Sequence, residues 1–242
     1  MSDPPAGSAG RELRWSWLGR VPYRRAWTLQ QEAREALHRG HGPERLLLLE
    51  HDPVFTLGRN ASADDVLAGP DWLHARGLEV VETNRGGQVT YHGPGQLMAY
   101  PIVDLKPDRR DVRRYVRDLQ ATIVATLEDL GITARRRDGQ ALIGVWVEDR
   151  KIASIGVHLS RWITQHGFAL NVEPELAHFG GIVACGLPQV TMTSIALELP
   201  AGSPPPALPA LAEAVANHFA ARLNRRLVAD SQPAGARSAR AS

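Results

Sequence analysis

Cysteine is almost absent from this 242-residue chain: Cys185 stands alone. One cysteine excludes an internal disulfide and any zinc site built on paired cysteines, so a working thiol here would work alone. Lysine is nearly as scarce. Of 28 basic residues only Lys106 and Lys151 are lysines, and the other 26 are arginines. A lysine in such a chain marks a place where a releasable proton is needed, a task arginine cannot perform, although two ordinary surface lysines fit the count as well. Excess charge of one sign is lacking too: 28 basic against 26 acidic residues leave +2, weak grounds for a nucleic-acid partner. No apolar run approaches the ~20 residues of a membrane helix, and the opening MSDPPAGSAG lacks the apolar stretch of a secretory signal. The expectation is a cytoplasmic protein that engages no membrane. There is no GxxxxGKS or GxxxxGKT phosphate loop, and the Gly93–Gly95 pair does not open a GxGxxG motif because Met98 stands at its last position.

What is present is ample core material. Hydrophobic residues make up 43% of the chain and charged residues 22%, enough for one or two domains. Residues 1–10 and 230–242 are small, polar and rich in Pro, Gly and Ser, and are expected as disordered tails around a single catalytic domain spanning 11–229. Within it, Leu13, Trp15 and Trp17 alternate as in a half-buried strand, and residues 24–38 carry apolar side chains at helical spacing up to Gly40. Residues 45–57 read as two strands, because Pro53 forbids one continuous central strand. A short helix over 71–76, a strand over 78–83 and another over 96–104 follow. Val112, Tyr115, Leu119, Ile123 and Leu127 stripe a helix over 111–130 that ends at Gly131. Three β-type runs come next, 142–147, 152–159 and 167–172, with a hairpin turn at 148–150 that puts Lys151 where a strand begins. A last helix opens at Pro209 with Leu211, Val215, Phe219 and Leu223 in register. Strands outnumber helices and cluster, so the predicted class is α+β rather than a regular βαβ repeat.

Three segments can carry chemistry. RGGQVTYHGPGQ, residues 85–96, holds four glycines in twelve positions. Such a loop can bring backbone N–H groups close to a ligand, or can be a tight β-turn. KIASIG, residues 151–156, followed by Gly167, Phe168 and Ala169, places small residues on adjacent strands. That leaves room for an extended apolar ligand, or lets strands pack closely. The third is Cys185 in GGIVACGLPQV. A lone cysteine is most often an inert small hydrophobe, and an ordinary thiol of pKa ~8.5 is only a few per cent thiolate at pH 7. Lowering it by ~1.5 units, about 2 kcal/mol, makes the thiolate abundant. His92, His158, His166, His178 and Lys151 are candidate cationic partners, and spacing does not choose among them.

Taken together these segments resemble the lipoyl(octanoyl) transferases, octanoyl-[acyl carrier protein]:protein N-octanoyltransferases of the lipoate/biotin protein ligase superfamily. The resemblance runs from about Leu18 to Ile195 through LGRVPYRRAWTLQ, EHDPVFTLGR, RGGQVTYHGPGQLMAYPIVDL, GVWVEDRKIASIGVHLSRWITQHGFALNV and ACGLPQVTMTSI. Its most specific element is RGGxxTYHxPGQ. Ala184 departs from the proline that precedes the cysteine in the family pattern.

The resemblance implies an α+β fold, a mixed sheet flanked by helices with a smaller sheet beside it. It implies transfer of an octanoyl group from acyl carrier protein to a lysine of lipoyl domains, those of 2-oxoacid dehydrogenase complexes and of the glycine cleavage H protein, by a monomer with no cofactor or metal. Carried across, Cys185 is the nucleophile and Lys151 the group that keeps it ionised. The acyl site is lined by Arg85, Gly86, Gly87, Gln88, Val89, Thr90, Tyr91, His92, Ser154, Ile155, Gly156, Gly167, Phe168 and Ala169. The arginines at 109, 110, 113, 114 and 117 form a basic helix face on which an acidic carrier could dock, or one that is merely solvated. Two rivals stand beside this reading: an ATP-dependent lipoate or biotin ligase on the same fold, which needs no Cys185, and a nucleic-acid-binding module, against which the arginine runs lack interleaved aromatics.

Overall fold

The computed structural model describes residues 10–107, 109–137, 139, 142–184 and 190–230. The chain builds one large mixed sheet with helices on both faces and one small sheet at its side. The first strand, β1 (Arg11–Arg20), is followed by helix α1 (Tyr23–His38), β2 (Glu44–Glu50) and β3 (Val54–Leu57). Pro53 breaks the apolar run where the sequence predicts, and the break sends the two strands to different sheets. Helix α2 (Pro70–Ala75), β4 (Glu79–Glu82), β5 (Val89–His92), β6 (Gln96–Ile102) and α3 (Val112–Glu128) come next. The chain continues through β7 (Gly144–Val147), β8 (Arg150–Ser160), β9 (Ile163–Asn171), β10 (Thr191–Met192), α4 (Ile195–Glu198), α5 (Leu208–Leu223) and β11 (Arg225–Ala229).

Among the described residues the large sheet runs in the order β10-β8-β9-β6-β2-β1-β11, with β7 also paired to β8, and the small sheet in the order β4-β3-β5. The run RLLLLE in β2 shows how the layers form. Side chains alternate across a strand, so Leu46 and Leu48 enter the core under α3 and α5 while Leu47 and Leu49 enter the core under α1. Each leucine is fully buried, and truncating one to alanine should cost about 2–5 kcal/mol. Helix α3 buries Tyr115, Leu119, Ile123 and Leu127 of the stripe read from the sequence while Val112 stays exposed, and Asp111 caps it by accepting a hydrogen bond from the Arg114 N–H. The small sheet has its own core of Phe55, Leu57, Val89, Tyr91 and Phe179.

Two elements differ from the sequence reading. Residues 89–92, inside the glycine-rich segment taken as a loop, form β5, whose β-branched and aromatic residues pair with β3. Residues 225–229 form β11, parallel to β1. Asp230, the first residue of the expected tail, donates its N–H to Trp15 O and pairs with Arg45. Among the described residues no helix is long and apolar enough to cross a membrane.

Candidate active site

The site forms where the segment 85–92 crosses the β8–β9 hairpin. In that hairpin Ser154 opposes Ala169, Ile155 opposes Phe168 and Gly156 opposes Gly167. The Gly86 N–H donates to Val157 O at 2.9 Å, which docks the segment on β8. Arg85 is almost wholly buried and turns its guanidinium on its own surroundings. Nε and Nη2 donate to Thr56 Oγ1 at 3.2 and 2.9 Å, Nη2 also to Thr56 O, and Nη1 to Gly86 O at 3.1 Å. Small residues make this crossing possible. A Cβ on Gly156 would lie 2.9 Å from Gly86 O, and one on Gly167 would lie 2.0 Å from Ala99 O, where β9 meets β6. Close packing is therefore one cause of the small-residue pattern.

Room for a ligand is the other result. A cleft of about 680 Å³ opens between the two elements, within the usual ~300–1,000 Å³ of small-molecule sites. Residues 85–90, His92, 154–156 and 167–169 all line it, together with Lys151. Tyr91 is the exception among the residues expected there. Alternation along β5 turns it away from His92 and Thr90 into the small-sheet core, against Phe55 and Phe179. The sequence reading missed Tyr23, Met98 and Tyr100, which reach the cleft from α1 and β6, and Val112 and Val116, which border it from α3. They sit in ordinary helix and strand patterns, so no local signal marks them.

Lys151 is 2% exposed. Its strand position opposes Trp146 on one side and Met192 on the other, and its Nζ lies 5.5 Å from the centroid of the Trp146 ring. Cys185 lies outside the described residues, as do 186–189. The flanks are described. Ala184 is buried in the small-sheet core and Val190 packs against it, after which β10 pairs with Arg150 and Lys151 and Thr193 N–H donates to Lys151 O at 3.0 Å. Glu198 secures this return: it accepts from Arg150 at 3.0 Å through both oxygens and from the Thr193 hydroxyl at 2.5 Å.

A cluster of histidines and tyrosines adjoins the cleft, with Tyr23, His92, Tyr100 and His166 lining it and His51 buried behind them. Burial lowers His51 to about 4, and lowers His166 to about 3 with help from the Arg85 charge. Burial, with the His51 and Arg85 charges, holds His92 well below the usual histidine range. All three are neutral at physiological pH. Burial likewise raises Tyr23 to about 12 and Tyr100 well above its ordinary value. His166 takes φ +59 within a strand, a left-handed conformation, and Gln30 Oε1 accepts its backbone N–H at 2.8 Å. Of the other candidate histidines, His178 borders the Tyr91 side of the small sheet and His158 is outside the cleft lining.

The chain belongs to the lipoyl protein ligase A/B catalytic domain family, whose model matches residues 22–220. Among its curated relatives, the octanoyltransferase of Solibacter usitatus is 49% identical over 203 residues, covering 84% of this chain and 89% of that protein. The octanoyltransferase of Geobacter metallireducens is 42% identical over 210 residues, covering 87% and 93%. Solved structures share the fold at much lower identity. A bi-partite lipoate protein ligase from Thermoplasma acidophilum aligns with TM-score 0.68 at 18% identity over 93% of this chain and 87% of its own. A lipoate-protein ligase A bound with ATP aligns with TM-score 0.66 at 17% identity, covering 92% and 88%. The expected mixed sheet with flanking helices and a smaller second sheet is the observed fold.

Proposed function

We propose that this chain is an octanoyltransferase of lipoate biosynthesis that works through a thioester on Cys185 with Lys151 as its acid–base partner. The donor is octanoyl-acyl carrier protein and the acceptor a lysine of a lipoyl domain, on a 2-oxoacid dehydrogenase complex or a glycine cleavage H protein, and the enzyme acts as a monomer. The observation that carries the reading is the placement of Lys151, buried in the cleft, with the strand that follows Cys185 bonded to its main chain.

The chemistry runs in two balanced halves. In the first, the Cys185 thiolate, paired with the Lys151 ammonium, attacks the carrier's thioester carbonyl. The carrier C–S bond breaks, and the leaving thiolate takes the Lys151 proton. Exchanging one thioester for another changes bond energy little. In the second half the acceptor amine attacks the Cys185 thioester, Lys151 removes the amine proton, and the thiolate leaves, restoring the starting state. Arginine could stabilise the thiolate but could not return the proton, which accounts for a lysine here in an arginine-rich chain. Backbone N–H groups near the site would stabilise the oxyanion.

Intact-mass measurement after incubation with octanoyl-acyl carrier protein tests this. An octanoyl adduct should form on the wild type, be absent from Cys185→Ser at neutral pH, and form far more slowly on Lys151→Arg. An adduct on the serine variant equal to wild type removes the mechanism. Product from free octanoate and ATP, independent of Cys185, would assign the chain to the ligases.

A further inference from the structure

His92 belongs to a buried chain of hydrogen bonds that runs from the cleft to the strand after Cys185. Asn171 Nδ2 donates to Thr193 O at 2.9 Å, Gln96 Nε2 donates to Asn171 Oδ1 at 2.9 Å and to Tyr91 O at 3.3 Å, and Gln96 Oε1 lies 3.3 Å from His92 Nδ1. Gln96 is fully buried, and Asn171, Thr193 and His92 are at most 5% exposed. The direction of the chain is not free. A main-chain carbonyl only accepts, so Thr193 O requires the amide nitrogen of Asn171, and Tyr91 O requires that of Gln96. Turning either amide over would set two oxygens face to face in a dry interior. The oxygen of Gln96 therefore faces His92, and the proton of the neutral imidazole sits on Nδ1. The other ring nitrogen is left as an acceptor on a residue that lines the cleft.

His51 repeats the logic. Val21 O, 2.7 Å from His51 Nδ1, requires a proton there, so His51 Nε2 accepts the Tyr100 hydroxyl at 2.8 Å, and Tyr100, also a cleft residue, keeps its oxygen lone pairs. Residues that line the cleft thus retain acceptor lone pairs. An octanoyl chain has no donor to offer them.

We propose that His92 accepts an N–H hydrogen bond from the substrate amine, and that Gln96 and Asn171 are positioning residues that hold its tautomer for this purpose. The amine's identity as an acceptor lysine rests on the acyl-transfer reading; the tautomer does not. The groups around His92 are Tyr23, whose ring stacks on it at 6.3 Å, His51 at 6.1 Å, Arg85, His166 and Gln96. Among these described groups there is no carboxylate to offset burial, which keeps the ring neutral.

Two-bond ¹H–¹⁵N correlation spectra of the full-length, substrate-free protein at neutral pH test the proposal. The wild type should show His92 protonated at Nδ1 and bare at Nε2, and n-butylamine, a mimic of the lysine side chain, added at about pH 9 should shift the Nε2 signal. Gln96→Met should convert His92 to a mixture of tautomers and lower kcat/KM for the acceptor about tenfold, the worth of one hydrogen bond. A proton on Nε2 in the wild type, an unchanged tautomer in Gln96→Met, or no response to saturating amine overturns it. If Gln96→Met fails to fold, the wild-type spectrum decides alone. Loss of octanoyl adduct formation, by contrast, would overturn the acyl-transfer reading while leaving the tautomer intact.

Discussion

The Lys151 side chain lies over Gly144 of β7, leaving no room for a side chain there, although the register pairs Gly144 with Ser154 and Lys151 with Trp146. A Cβ on Gly144 would lie 2.5 Å from Lys151 Cε and 3.4 Å from Nζ, so the glycine is the floor on which the lysine stem rests. Lysine is a flexible four-carbon chain, and such a floor limits where its stem can lie. Gly144→Ala should therefore displace the amine and lower turnover about 10²-fold, the cost of roughly 1 Å of misplacement in a catalytic group. Turnover measured beside the melting temperature checks this, and unimpaired turnover in a folded variant would contradict it.

Carrier-protein docking predicts an effect of charge on the rim of the cleft. Val112 and Val116 border the cleft from the first turns of α3, and Arg113 and Arg117 sit one residue further along the same turns, both exposed. Arg109 does not join them, because it is bound to Asp118 at 2.6 Å. The double substitution Arg113→Glu/Arg117→Glu should raise KM for acyl carrier protein about tenfold at low ionic strength, with the difference shrinking at roughly 0.5 M salt. An unchanged KM at low salt would remove this face from the docking surface.

Neutral buried histidines predict a pH dependence of stability. His51, about 4 when folded, sits below the unfolded histidine value of about 6.5, so between those values the unfolded chain binds the extra proton. Stability from this residue is complete above pH 6.5 and is lost as pH falls toward 4, by roughly 3 kcal/mol in all. His166 acts in the same direction, down to about 3. Urea unfolding of His51→Gln across pH 4–7 should show a shallower slope than wild type, and equal slopes would refute the assignment.

Glu44 joins three elements. It accepts from Arg225 Nε at 2.6 Å and from the Asp104 N–H at 3.1 Å, and it pairs with Arg11 at 3.1 Å. The Arg225 and Glu44 side chains are 0% and 4% exposed. Glu44→Gln leaves the Arg225 charge buried without its counter-ion and should cost about 3–5 kcal/mol in chemical denaturation. A loss below about 1 kcal/mol would mean that water reaches the pair.

Legibility in the sequence followed the range of the forces involved. The α3 stripe, the split at Pro53 and the strand start at Lys151 are local patterns, set by helical spacing, a missing N–H and a hairpin turn, and each is found where the sequence predicts it. β5 was hidden because the glycines around Val89–His92 outweigh four residues of β-forming sequence. β11 was hidden because its partner β1 lies at the other end of the chain, and pairing at that distance leaves no local trace. In the cleft, the motif residues were legible as a group, but Tyr91 was not separable from His92 until the strand's alternation was known. The hydrogen-bond chain through Gln96 and Asn171 could not be read at all, since it depends on the register of β6 with β9.

The described residues on either side of 185–189 belong to two different bodies of packing. The upstream neighbour Ala184 belongs to the core of the small sheet, and the downstream neighbours join the edge of the large one beside Lys151. On the proposed mechanism, bringing Cys185 to Lys151 then depends on how these two flanks are held. Truncating Phe55 or Phe179, which share a core with Ala184, would cost stability as truncation of any buried aromatic does and, on the proposed mechanism, would slow the chemistry as well.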